Sequence, residues 1–494
     1  MKQTKKSRRS SNRIGIKITA VVLLILLALA GWKLTAGRIA REEDPGPAEE
    51  TLPKPEEDAS ASEHTQKPET DTSTELTAAE QQASFLPDYT SAPLLNTTPI
   101  RCLSLEVGAT ADELRFNWLS PSASKGQVRW TNQSSGETQT FDAQCSPSTT
   151  VPGYYVNKAS VTGFAADTDY TYQVGNDDGW SPEYSYHAPQ VSDSNLTFLV
   201  TADAQIGQSE VEDASVTTER WDSVLNRLTD YVPEASFLFH VGDQVADYGS
   251  EEHYEMYLEH LPLYRIALAP AVGNHDVPNA YSMEENGHPG GLYFYEHFNV
   301  PNRSSMGQSQ YDKDGNYYFI RSNVLFIVLN SSTSQGEAVQ EQYVAQVVAE
   351  HPQVKWRILA QHYPAYPAAE DSHTGAKEYL ARIAIDNDID LVLGAHDHVY
   401  SRTAFVNRDC ETYNDYDYEP GAVVSNPEGT MYVTCGTSSG CLYHFPEEEM
   451  RIVYSGQPDT PMAIRFDVTD SELHLRAYLM DTWTVYDEYT IQKD

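Results

Sequence analysis

Basic residues are scarce in this chain. Lys and Arg number 33 against 72 Asp and Glu, for a formal charge of −39 over 494 residues. Those few are enriched in the first forty positions, so the remainder is more acidic still. This excludes a nucleic-acid backbone as partner, because holding a run of phosphates needs clustered Lys and Arg. The acidity suits attraction of cations, although most of these carboxylates read as solvated surface. Cysteine is also sparse, at five: Cys102, Cys145, Cys410, Cys435 and Cys441. No CxxC pair occurs, which excludes a zinc ribbon, and the odd count leaves a thiol free or paired between chains. If the chain is exported, Cys102–Cys145 and Cys435–Cys441 are candidate disulfides, but sequence alone does not fix pairing. There is no H-E-x-x-H, the signature of one large class of metalloproteases, and no internal repeat.

Long apolar runs are few. Lys2, Lys5, Lys6, Arg8, Arg9, Arg13 and Lys17 precede an apolar stretch, Ile18 to Trp32. Basic residues before such a stretch hold that end in the cytoplasm. The stretch is short against the roughly 20 residues of a spanning helix, but Lys33 can snorkel and extend it. Ala28-Leu29-Ala30 fits an A-x-A cleavage pattern. Residues 1–39 are therefore a signal peptide or a signal anchor. Arg8-Arg9 hints at twin-arginine export, yet Ser-Ser-Asn follows where that signal is apolar. Either way the body is expected outside the cytoplasmic membrane, tethered to its outer face or secreted. Residues 40–96 have few large apolar side chains and are rich in Pro, Glu, Asp, Ser and Thr. They cannot bury enough surface to offset the entropy of ordering, which predicts a disordered acidic stalk.

Residues 97–191 lack any helical period. Ile100 to Val107, Glu113 to Leu119, Gly126 to Thr131, Tyr154 to Thr162 and Asp169 to Val174 are short, alternating and separated by turn residues. This predicts a small β-sandwich of immunoglobulin type. The stretch from Ala159 through Gly175 resembles a fibronectin type III domain. From 196 to 491 strands alternate with helices. Trp221, Val224, Leu225 and Leu228 recur at helical spacing. Further helices are expected over 338–350 and 377–387, a hairpin around Arg321-Ser322-Asn323, and three strands over 462–491. The whole reads as an α/β sandwich of mixed sheets flanked by helices.

Five polar clusters each follow an apolar, strand-like run. They are Asp203-Ala204-Gln205, Gly242-Asp243, Gly273-Asn274-His275-Asp276, Gln361-His362 and Gly394-Ala395-His396-Asp397-His398. In open α/β sheets ligands bind at the carboxyl ends of strands. Alone, an Asp after a strand is usually a cap or turn residue; five clusters in series are not accounted for that way. Asp, Asn and His are donors for hard and borderline cations. Two such ions about 3.5–4 Å apart clamp an in-line displacement at phosphorus. Asp203, Asp243, Asn274, His362, His396 and His398 suffice for two sites with one bridging carboxylate. His240 reads as a core histidine, and His253, His260, His288, His297, His351 and His444 as surface or loop residues.

The order and spacing of these clusters resemble the metallophosphoesterases (calcineurin-like phosphatases), and the preceding β-sandwich resembles the purple acid phosphatases in particular. The resemblance implies that Asp203 and His398 bind the first metal, that Asp243 bridges, and that Asn274, His362 and His396 bind the second. It implies that His275 touches the phosphate and that His373 binds phosphate or donates a proton. Arg402 is either a phosphate-orienting or a structural arginine. The pair would be Fe, Mn or Zn, and a hydroxide held by it would attack the ester without a phosphoenzyme. Three departures stand out. Ala246 occupies the place of the tyrosine that colours purple acid phosphatases, with Tyr248 two residues on. Gln205 stands where many relatives have His, as a weak ligand or the holder of a metal-bound water. Ala395 stands where Gly usually precedes the first His of the final pair. The function expected is hydrolysis of small phosphate monoesters. A nucleotidase or phosphodiesterase on the same site, and a non-catalytic surface binding protein, are the alternatives.

Overall fold

The computed structural model describes residues 99–190, 194–208, 214–277, 292–306, 316–332, 336–370, 372, 377–439, 446 and 449–494. The expected membrane segment and acidic stalk lie outside them. Among the described residues no helix is long and apolar enough to cross a membrane.

Two mixed sheets face each other. In the larger, Asn195–Thr201, Phe237–His240 and Ala267–Pro270 run parallel side by side. Met462–Thr469, Glu472–Leu479 and Thr484–Gln492 extend it antiparallel on one flank. In the smaller, Val324–Val328, Trp356–Ala360, Leu391–Gly394 and Met431–Thr434 are parallel, and Tyr317–Arg321 closes a hairpin on one edge. The inner faces meet through phenylalanines. Phe198 and Phe237 of the larger sheet pack edge-on against Phe326 of the smaller at 5.1 and 5.2 Å between ring centroids.

The strand Val-Leu-Phe-Ile-Val at 324–328 is apolar throughout because both its faces are buried. Phe326 faces the other sheet. Leu325 and Ile327 join Val344, Val347, Leu380 and Ile383 of the helices Glu337–Glu350 and Lys377–Asp386. On the far side of the larger sheet the helix Ala214–Tyr231 buries Trp221, Val224, Leu225 and Leu228, as their spacing predicts. The expected helices, the 317–328 hairpin and the three final strands all form.

The N-terminal region is all β, as expected, but it is not a separate sandwich. One of its sheets, Gln127–Asn132 with Thr138–Asp142, Thr168–Asn176 and Tyr184–Ala188, stands apart. The other is an extension of the larger sheet. Arg101–Val107 lies parallel to Ala267–Pro270, with Glu106 opposite Leu268, and Glu113–Ser120 and Tyr155–Thr162 continue it. Cys102 and Cys145 are both free thiols, so the candidate bridge between them does not form; Cys435 is free as well. Cys441 lies outside the described residues.

Candidate metal centre

Each sheet delivers three of the six expected ligands at the carboxyl ends of its parallel strands. Asp203, Asp243 and Asn274 follow Asn195–Thr201, Phe237–His240 and Ala267–Pro270. His362 follows Trp356–Ala360, and His396 and His398 follow Leu391–Gly394. Carboxylates and amide thus come from one sheet and imidazoles from the other.

The loops are forced close. Asp203, Gln205, Asp243, His396 and His398 all have positive φ, from 39° to 74°. That conformation costs about 1–3 kcal/mol each and persists where surrounding contacts over-determine it. The backbone supplies those contacts. Asp203 N–H donates to the Gly242 carbonyl at 3.1 Å, Gln205 N–H to Asp243 at 2.9 Å, and Ala395 N–H to His362 at 2.8 Å. Two glycines permit the approach. A Cβ on Gly273 would lie 2.0 Å from Asp243 Oδ1, and one on Gly242 would lie 2.5 Å from His362 Nδ1.

His362 is the centre of the cluster. Its Nδ1–H donates to the Val241 carbonyl at 2.9 Å, which leaves Nε2 with its lone pair facing inward. That nitrogen lies 3.1 Å from Asn274 Oδ1, 3.2 Å from Asp243 Oδ2 and 3.9 Å from Asp203 Oδ1. His398 Nε2 lies 3.5 Å from Asp203 Oδ1. The Asp243, His362 and His396 donor atoms lie within 4.8 Å of one another. Asp203 Oδ1 is buried without a hydrogen-bond donor. A buried acceptor with no donor, near an imidazole whose other nitrogen is committed to a backbone carbonyl, fits a cation better than any neutral packing. Burial pushes the Asp203 carboxyl well above the usual range, against the pull of His362. Asp243 is equally buried, yet His362 and His275 hold it well below that range. Burial would depress His362, but Asp243 and Asp203 outweigh it and raise the imidazole to about 10. Proton and cation therefore compete for the same nitrogen.

His275 sits at the rim, with its side chain 33% exposed. Its backbone N–H donates to Asp243 Oδ1 at 2.8 Å, and its Nδ1–H to the Ala246 carbonyl at 2.9 Å. Nε2, 4.0 Å from Asp243 Oδ2, is left for another partner. Gln205 is held beside the centre, its Nε2 donating to Asp243 Oδ2 at 3.1 Å. Tyr248 is not drawn into this network; its ring meets Tyr293 edge-on at 5.6 Å. Arg402 is a structural arginine. It is fully buried, pairs with Asp487 through Nε at 2.7 Å and Nη2 at 3.0 Å, and lies 4.3 Å from the Tyr489 ring centre. His373 lies outside the described residues. His240 is a core residue, with Nδ1 2.9 Å from Thr201 Oγ1. His260 and His297, expected at the surface, are buried.

Two carboxylates were given no role by sequence. Asp276 accepts backbone N–H bonds from Gly273 at 2.7 Å, Asp243 at 2.8 Å and Gln244 at 2.9 Å. It thereby binds the Asp243 loop to the Asn274 loop. Burial and the Asp243 charge raise its pKa to about 7. Asp397 accepts from Ala368 N–H and Ser372 Oγ, both at 2.6 Å, and so ties the His396–His398 turn to the segment after His362. The signal for both was their place inside the clusters.

Comparison with known proteins gives two family matches and one shared fold. Residues 101–188 match the family model of the purple acid phosphatase N-terminal domain, and residues 196–400 that of the calcineurin-like phosphoesterases. The solved purple acid phosphatase PPD1 from yellow lupin (Lupinus luteus) seeds superposes with a TM-score of 0.64 at 17% identity. The match covers 81% of this chain and 75% of that one, and it shows a shared fold. Chitinase ChiW from Paenibacillus sp. str. FPU-7 overlaps 65% of this chain and 33% of its own at 10% identity, with a TM-score of 0.13, and carries no argument. No curated protein matches the sequence.

Proposed function

Because the chain belongs to the calcineurin-like metallophosphoesterases and carries the N-terminal domain of a purple acid phosphatase, we propose that it hydrolyses small phosphate monoesters at a two-metal centre. Asp203 and His398 would hold one cation, Asn274, His362 and His396 the other, and Asp243 both. When bound, such a pair supplies Lewis acidity and an activated water. The observation that carries this reading is His362 Nε2, facing oxygens of Asn274, Asp243 and Asp203 while its other nitrogen is committed to Val241.

The remaining steps fall to this chain's own side chains. His275, fixed by Ala246 and partly open to solvent, would hydrogen-bond the ester phosphate and stabilise its developing charge. Gln205 would orient the Asp243 carboxylate through its amide. Asp276 and Asp397 would keep the ligand loops in register. His373 would serve as a second phosphate contact or proton donor. The basic-then-apolar N-terminal sequence supports export, with the body tethered outside the membrane or released.

The test is hydrolysis by the full chain of a panel of monoesters, diesters and nucleotides, loaded in turn with Fe, Mn and Zn. Turnover of monoesters above the other classes is expected. Preference for nucleotides or diesters would replace the substrate assignment, and metal-loaded protein inert to the whole panel would overturn the catalytic reading.

A further inference from the structure

A second constellation of metal-ligand type lies away from the six residues above. Cys102, Glu251 and His297 bring a thiol, a carboxylate and an imidazole together, their donor atoms all within 4.8 Å of one another. They come from three elements: the strand Arg101–Val107, the first turn of the helix Glu251–Leu258, and the end of the helix Leu292–His297. The first belongs to the N-terminal region, and the other two to the catalytic part.

Several features aim these groups at one point. The pairing of Arg101–Val107 with Glu113–Ser120 shifts register between Arg101 and Ser104, and Cys102 has a φ of 47°. Such irregularities re-aim a side chain out of the normal alternation. Here the sulfur lies 3.3 Å from Glu251 Oε1. The His297 Nδ1–H donates to the Tyr293 carbonyl at 2.7 Å, so its Nε2 lone pair faces the carboxylate, 3.1 and 3.0 Å from the two Glu251 oxygens. Tyr254 stacks on the imidazole at 3.9 Å and 5° and fixes its plane. Cys102 and His297 are fully buried, while Glu251 keeps 22% of its side chain open, enough for an ion to enter.

We propose that Cys102, Glu251 and His297 form a separate zinc site that staples the N-terminal strand to the two catalytic helices. Tetrahedral zinc, with bonds of about 2.0–2.3 Å, sets its ligand atoms roughly 3.3–3.8 Å apart. The sulfur–oxygen and nitrogen–oxygen separations reach that range with side-chain adjustments of a few tenths of an ångström, and the sulfur and nitrogen lie within 4.8 Å of each other. Thiolate, carboxylate and a divalent ion sum to zero charge, which suits a buried position. The thiolate excludes Mg, Ca and Mn, which prefer oxygen. The imidazole nitrogen committed to a backbone carbonyl is the usual outer partner of a ligating histidine. A water would complete the fourth position.

The competing occupant is a proton, making His297 an imidazolium paired with Glu251. Cobalt(II) separates the two, because a thiolate ligand gives cobalt an intense near-ultraviolet charge-transfer band. The full chain, stripped and reloaded with cobalt, should show that band. Cys102→Ser should remove it, and Cys145→Ser should leave it. In zinc-loaded protein, Cys102→Ser and Glu251→Gln should each hold about one equivalent less zinc, and absorption fine structure should find a sulfur at about 2.3 Å only in the parent. None of these readouts depends on phosphatase activity, so this site and the catalytic assignment fail separately. Absence of the band from the parent would overturn the site. So would a band that survives Cys102→Ser and vanishes in Cys435→Ser, because Cys435 N–H donates to the Gly394 carbonyl at 2.8 Å, two residues before His396.

Discussion

His362 Nε2 and Asp243 Oδ2 lie 3.2 Å apart across the seam between two sheets. Both are held by loops of the larger sheet: His362, arriving from the smaller sheet, through Nδ1–H to the Val241 carbonyl, and Asp243 through its backbone N–H to Asp276 at 2.8 Å. The contact is therefore a property of the fold and not of flexible side chains. A bridging role for Asp243 predicts that Asp243→Asn, which keeps the shape and removes the charge, drops metal content below one ion per chain and turnover to the assay floor. Elemental analysis beside a rate measurement checks this. A variant that keeps both ions and its rate would show that the bridge lies elsewhere.

His275 should separate rate from metal. Its Nδ1 is occupied by Ala246 and its Nε2 stands 4.0 Å from the nearest carboxylate oxygen, too far for a shared hydrogen bond. His275→Ala is expected to lower kcat about 10²–10⁴-fold, the usual scale for a positioned acid or base, with metal content unchanged. Metal loss in proportion to rate loss would make it a ligand instead.

Asp276 predicts a different signature. Asp276→Asn leaves at least one of its backbone donors without an acceptor, at about 1–3 kcal/mol each. Metal affinity should fall roughly 10–100-fold, as for other groups that orient ligands, and Tm should fall even in metal-free protein. His275→Ala should not share that fall. Unchanged metal-free stability in Asp276→Asn would mean that the two loops hold their register without it.

The strands that carry the site were legible because each is a short apolar run ending in a polar cluster, a pattern that burial on two faces produces. The six candidate residues stood out for the same reason. Less legible was the junction of the two regions. Glu106 pairs with Leu268, and nothing local in either segment encodes a partner so distant in sequence. Thr138–Asp142 and Gln144–Pro147 were missed because their residues are mostly exposed and show no apolar alternation. His260 and His297 were misplaced at the surface because what buries them, Asp222 for one and Glu251 for the other, is supplied by the fold. Arg402, beside the final histidines, reads as either phosphate-orienting or structural until Asp487, from a strand near the end of the chain, is seen to claim it.

Glu106, at that junction, should tie stability to pH. Burial raises its carboxyl to about 8, against a hydrogen bond from Ser104 Oγ and the charge of Lys158. A folded pKa above the unfolded value means that the folded state keeps a proton which the unfolded state releases. The contribution is full below about pH 4.5 and declines as pH rises to about 8, by at most about 1.4 kcal/mol per pH unit. Glu106→Gln keeps the shape without the titration. The stability difference, parent minus variant, should decrease steadily between pH 5 and 8. A flat difference would show that Glu106 is ionised throughout. Lys158, lowered to about 8 mainly by its own burial, acts in the opposite sense and only above that window.

Iron-loaded protein should be colourless in the visible. The purple acid phosphatases owe their colour to a tyrosine three residues after the bridging Asp, and that position here is Ala246. Its carbonyl receives the His275 imidazole and its N–H donates to the Ile206 carbonyl at 3.0 Å, so the backbone there is committed and offers no phenol. Tyr248 packs against Tyr293 instead. Gln205 turns its amide toward Asp243 and is neutral, so it does not replace the missing anion. Without a hard anionic donor the first site loses its preference for iron(III), and divalent Mn, Zn or Fe becomes the better occupant. A visible spectrum of protein loaded aerobically with iron decides the matter. A strong purple band lost on Tyr248→Phe would mean that the ring leaves Tyr293 to bind the metal, and the argument from Ala246 would fall.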